Sequence, residues 1–112
     1  MKGLYLGALF FMSAYSFGDI VRVTTNNDSI QSKVTALRVE SHWGFVSFDN
    51  NIGNRDCPKN RVYLNLKSEV HRVAYSTAMA AYMAGKVVEI RADNRIPKVF
   101  SACSLYDIVV AQ

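Results

Sequence analysis

Apolar residues change their spacing twice along this chain, and the change brackets its centre. In Lys33 to Glu40, Phe45 to Phe48 and Arg61 to Leu66 they alternate with the residues between them. From Val70 to Tyr82 they fall at three- and four-residue steps: Val70, Val73/Ala74, Thr77/Ala78, Ala81/Tyr82. After Gly85 a short β-branched run, Val87-Val88-Glu89-Ile90, follows. Alternation predicts half-buried strands, and the longer step predicts an amphipathic helix. The helix is expected from about Ser68 to Ala84. The Ser68 hydroxyl suits an N-cap, Glu69 suits the positive helix end, and Gly85 suits the left-handed stop. Its packing stripe, Ala74, Ala78 and Ala81, is made of small residues that let a helix lie close to a sheet.

The strands follow from the same reading. Asp19 to Thr25 predicts a short first strand or an ordered arm, and Asn26 to Ser29 a turn. In Lys33 to Glu40, Val34, Ala36, Arg38 and Glu40 face one way and Thr35, Leu37 and Val39 the other. Ser41 to Gly44 reads as a connection. Phe45 to Phe48 is the next strand, with Phe45 and Ser47 opposite Val46 and Phe48. Asp49 to Asn60 is polar and rich in turn residues. Arg61 to Leu66 places Val62, Leu64 and Leu66 on one face and Tyr63 on the other. Lys86 to Ala92 and Ser104 to Ala111 complete the order β-β-β-β-α-β-β. The expected fold class is α+β, mainly β: an OB-like antiparallel barrel, five- or six-stranded and partly open, with one helix. Other α+β sandwiches fit the composition equally.

The first residues change this picture. Met1-Lys2 is a positive end, Leu4 to Met12 an apolar run, and Ser13 to Gly18 a stretch containing small residues. This is the plan of a secretory signal peptide, expected at residues 1–18 with cleavage after Gly18. Cleavage after Ala14, an uncleaved anchor or a buried N-terminal helix are the competing readings. Residues 19–112 then form a single OB-like domain, secreted or periplasmic, with no stable membrane insertion once the signal is removed. In an oxidising compartment the two cysteines, Cys57 and Cys103, are expected to pair. A loop of roughly 45 residues would contribute about 3–4 kcal/mol on the chain-entropy account.

Charge adds little. The formal net charge is +4, spread along the chain without a cluster. No metal site is expected, since His42, His71 and the two cysteines lack ligand spacing. No cofactor is implied, because there is no Gly-rich phosphate loop. Neither histidine has a nucleophile at a recognisable spacing, so an enzyme is not expected. Trp43, Phe45 and Phe48 with Arg38 mimic the stacking surface of nucleic-acid-binding OB folds. Export and the slight basic footprint argue against nucleic acid as the partner.

The segment Tyr75-Ser76-Thr77-Ala78-Met79-Ala80-Ala81-Tyr82-Met83-Ala84-Gly85-Lys86-Val87-Val88-Glu89-Ile90 resembles the helix-then-strand segment of subtilase-cytotoxin and pertussis-like toxin B subunits. Those too carry an alanine- and tyrosine-bearing helix, a Gly stop and a V-x-I strand, with a cysteine upstream, here Cys57. The resemblance covers about half the chain. It implies an OB fold, a homopentamer, a cell-surface glycan receptor of sialylated type and a separate catalytic A subunit. It further implies a sugar site using the D-x-x-x-S element, matched here by Asp28 and Ser32. Asp28 also fits as a turn former, and Ser32 as an ordinary strand-edge residue. Where the family has a tyrosine after the strand core, this chain has Ala92, preceded by Arg91, a residue able to attract an acidic sugar. The alternative is a stand-alone exported protein of the same fold that binds another protein and has no toxin role. A role as an enzyme inhibitor or envelope accessory factor is a third reading.

Overall fold

The structure, a computed structural model, describes residues 20–23, 32–50, 57 and 59–110. The expected signal segment and Asp28 lie outside them. The elements are β1 (Ile20–Arg22), β2 (Val34–Glu40), β3 (Trp43–Phe48), β4 (Arg61–Asn65), α1 (Glu69–Ala84), β5 (Val88–Asp93) and β6 (Cys103–Val110).

Among the described residues the fold is mainly β with one helix, an OB-like partly open barrel. The six strands make one sheet in the order β1-β5-β6-β4-β3-β2. The far end of this sheet curls back. Lys33 bridges Val87, and the Val88 N–H donates to the Ser32 carbonyl at 2.9 Å. This contact is a single bridge rather than a ladder, so the barrel stays open there. Lys33, just before β2, bridges Val87, just before β5, on the same edge of β5 that β1 pairs with. One pair departs from the antiparallel expectation: β4 and β6 run parallel. The chain leaves β4, crosses as α1 and returns through β5, so β6 enters beside β4 in the same direction.

Local signals fix the helix. The His71 N–H donates to Ser68 Oγ at 3.4 Å, and Gly85 takes φ 65°, where a side chain is disfavoured. Ala78 and Ala81 are buried against the barrel interior, where Val46, Phe48, Val62, Leu64, Val88 and Ile90 are fully enclosed. Full burial of each such aliphatic side chain contributes about 1.5–3 kcal/mol.

Two strand details differ from the sequence expectation. β3 starts at Trp43, not Phe45, because Ser41 and His42 alone make the turn and Glu40 pairs Trp43. A bulge between Val34 and Ala36 interrupts the alternation of β2. Val34 turns into the core, whereas Arg38 and Glu40 remain exposed. Bulges bend a strand, and a second one between Arg91 and Ala92 bends the β5–β6 pair. The disulfide forms as expected: Cys57 and Cys103 are bonded with their Cα atoms 5.8 Å apart.

Candidate functional site

Alternation along β3 and β4 sends Val46, Phe48, Val62 and Leu64 inward and leaves Trp43, Phe45, Arg61 and Tyr63 on the other face. Strand pairing sets them side by side: Trp43 opposite Asn65, Phe45 opposite Tyr63, Ser47 opposite Arg61. β2 adds Arg38 opposite Phe45 and Glu40 opposite Trp43. Directly opposed residues share a face. The outer face of the barrel therefore carries aromatic rings and arginines together. Phe45, Tyr63 and Ala102 form a second, smaller apolar cluster there, with Trp43 and Val99 packed against it.

The chain between β5 and β6 folds over this face and is held at three places. At its start Asp93 grips Arg95 through both carboxylate oxygens, at 2.8 and 2.9 Å. In the middle the Tyr63 hydroxyl donates to the Pro97 carbonyl at 2.8 Å. Near the end Arg61 Nη2 donates to the Phe100 carbonyl at 2.8 Å. The Arg95 contact holds the Asp93 carboxyl below the usual carboxylate range. Burial raises the Tyr63 phenol above the usual tyrosine range; a Ser104 hydrogen bond opposes that shift and the Asp93 charge adds to it.

The tip of this segment is a two-residue hairpin. Val99 and Ala102 exchange backbone hydrogen bonds of 3.1 and 2.9 Å, and between them Phe100 and Ser101 take φ of 49° and 67°. Such turns favour Asn-Gly because both positions need positive φ. Holding a side-chain-bearing residue there costs on the order of 1 kcal/mol. The product of this strain is a phenylalanine ring at the tip, 58 % exposed and 5.8 Å from the ring of Phe45.

Two hollows result, one on each side of the aromatic cluster. The larger, about 420 Å³, lies between the sheet and the loop. Trp43, Tyr63, Ile96, Pro97 and Val99 give it apolar walls, and Asn65, His71 and Ser104 supply polar atoms. The Trp43 and Tyr63 rings meet edge to face, 5.4 Å apart, and His42 flanks Trp43 at 4.2 Å. His71 is committed to the fold. The Asn65 N–H donates to its Nδ1 at 2.7 Å, and its Nε2 meets the Leu105 carbonyl at 3.2 Å, which places the proton on Nε2. The smaller hollow, about 250 Å³, is lined by Arg38, Glu40, Phe45, Arg61 and Phe100.

The residues singled out from the sequence lie elsewhere. Ser32 is buried, and its hydroxyl donates to the Asn50 carbonyl at 3.2 Å. Arg91 is exposed, forks onto both oxygens of Asp107 and stands 5.4 Å from the Tyr106 ring. That pairing holds its guanidinium above the usual range. Ser32 abuts Val88, and Arg91 lies three residues further along β5, about 10 Å at the rise of a strand. Ser32 faces the interior and Arg91 the solvent, so the two are not brought together. The outer aromatic face had one signal in the sequence: Trp43, Phe45 and Tyr63 occupy positions that alternation turns away from the core. Of the stacking residues read from sequence, Phe48 belongs to the interior.

No family model, no curated protein and no solved structure matches this chain.

Proposed function

We propose that the chain is an exported, non-catalytic binding module that takes a cell-surface glycan against Trp43 and Tyr63, in the manner of toxin B subunits and as a homopentamer serving a separate catalytic subunit. The observation that carries the reading is the Trp43–Tyr63 hollow on the β3–β4 side of an OB-like barrel. That side of OB folds binds oligosaccharides and oligonucleotides. The hollow combines what sugar recognition needs: an aromatic ring to lie along the apolar face of a pyranose, and the Asn65 amide side chain beside it. The Cys57–Cys103 disulfide fits an oxidising compartment, and among the described residues no helix is long and apolar enough to cross a membrane.

A glycan array probed with the oxidised protein, with mass measured by light scattering, tests the proposal. Binding to a defined set of glycans by a five-fold assembly supports it. A monomer that binds no glycan contradicts it.

One observation favours the second reading, an exported protein that binds another protein. Along its length α1 exposes Val70, Val73, Met79, Tyr82 and Met83. Exposed apolar groups on one helix suit a protein partner. Loss of partner binding in Val73→Ser with glycan binding absent would favour that reading.

A further inference from the structure

Among the described residues, the smaller hollow carries a charge with no acidic partner. Arg61 is half-buried, yet the one hydrogen bond its side chain makes among the described residues goes to the Phe100 carbonyl, and it has no carboxylate partner there. Its Nε is buried, with no hydrogen-bond partner among the described residues. Its guanidinium stands 5.6 Å from the centre of the Phe45 ring. A partly desolvated guanidinium with open donors is costly unless an anion answers it. Opposite stands Phe100, an exposed ring held in place by two consecutive non-glycine residues at positive φ. Backbone strain that persists to display an exposed side chain points to use of that side chain. Arg38 also lines the hollow, but Glu40 occupies it at 3.2 Å.

We propose that this hollow is a carboxylate subsite, in which Arg61 meets the acid group while Phe45 and Phe100 face the flat or ring-shaped body that bears it. A planar guanidinium matches a carboxylate in two-point geometry, and the aromatic walls exclude water from the pair. Glu40 opposes the anion and is partly neutralised by Arg38. The subsite makes an acidic sugar the preferred occupant, and in that form it rests on the glycan reading. As a carboxylate site it stands without it.

The test uses the oxidised, isotope-labelled chain and follows the Arg61 Nε–H signal and the Phe100 and Ser101 amides by NMR. Two matched probe pairs are titrated: benzoate against benzyl alcohol, and methyl glucuronide against methyl glucoside. The carboxylates are expected to shift these signals saturably and their neutral partners to leave them in place. Arg61→Gln should reduce the preference for the acid by about tenfold or more, the size expected for a charged hydrogen bond. Arg61→Lys, which keeps the charge and disturbs the stack less, should retain part of it. Glu40→Gln frees Arg38 and should tighten benzoate binding. Benzoate that leaves the Arg61 Nε–H unmoved, or that binds Arg61→Gln as it binds the unaltered chain, overturns the proposal. If benzoate binds here but neither glycoside does and the array is blank, the glycan reading fails and the carboxylate site stands.

Discussion

The Tyr63 hydroxyl of β4 donates to the Pro97 carbonyl at 2.8 Å, tying the β5–β6 loop to the outer face of the sheet. The same ring forms a wall of the larger hollow, so loop anchorage and site shape depend on one residue. Tyr63→Phe keeps the ring and removes the tie. It should lower stability by about 0.5–1.5 kcal/mol, read from the urea midpoint. Because burial raises the phenol's pKa in the fold, the associated stability is fully present below the unfolded value, near 10. It is lost as pH rises through the folded value. The gap between Tyr63→Phe and the unaltered chain should therefore change only in strong alkali. A gap that changes between pH 6 and pH 8 would contradict this assignment.

Asp93 makes the opposite titration. Its carboxyl is held low, chiefly by the hydrogen bond from Arg95. The contribution is present above the unfolded carboxylate pKa, about 3.9, and is lost as pH falls through the lower folded value. Asp93→Asn should destabilise the protein at pH 7, and the gap to the unaltered chain should be smaller at pH 2. Denaturant midpoints at the two pH values decide it, and an equal gap at both would refute the pairing.

Gly44 of β3 lies beneath Tyr75 of α1. A Cβ at Gly44 would stand 3.0 Å from Tyr75 Cδ1 and 3.3 Å from Leu66 Cδ2. Gly44→Ala should cost about 1–3 kcal/mol by overpacking. Tyr75→Ala in the same chain should recover part of that loss. A thermal melt unchanged by Gly44→Ala would show that the helix does not sit this close to the sheet.

The disulfide spans 46 residues. By chain entropy it contributes about 4 kcal/mol. Reduction, or replacement of both Cys57 and Cys103 by Ala, should lower the denaturant midpoint accordingly. Reduced protein as stable as oxidised protein would exclude a structural role for the bond.

Local signals made most of the secondary structure legible. Ser68 and Gly85 delimit α1 because capping needs only neighbouring residues, and alternation assigned the faces of β3 and β4. Long-range features were not legible. Gly44 reads as a loop residue until Tyr75 is known to lie over it, and the parallel β4–β6 pair depends on where α1 returns the chain. The bulge at Val34 and Ala36 breaks a pattern that looked regular. The Phe100–Ser101 hairpin contains no glycine to announce it. Asp28 and Ser32 share a motif spacing, but Ser32 is turned inward by its contacts with Asn50 and Val88. Alternation turned Phe45 and Tyr63 outward, but the complete aromatic face takes shape only once β3 and β4 are paired and the β5–β6 loop is laid over them.

The central claim, a glycan seated on Trp43, has a built-in reporter. Trp43 is the only tryptophan of the chain. Its fluorescence should be followed while neutral and acidic milk oligosaccharides are added to the oxidised protein. A saturable change in emission with at least one oligosaccharide is predicted, with binding of the same sugar lost in Trp43→Ala when measured by calorimetry. Calorimetric binding that leaves Trp43 emission unchanged and persists in Trp43→Ala would contradict the claim, as would a flat response to every sugar.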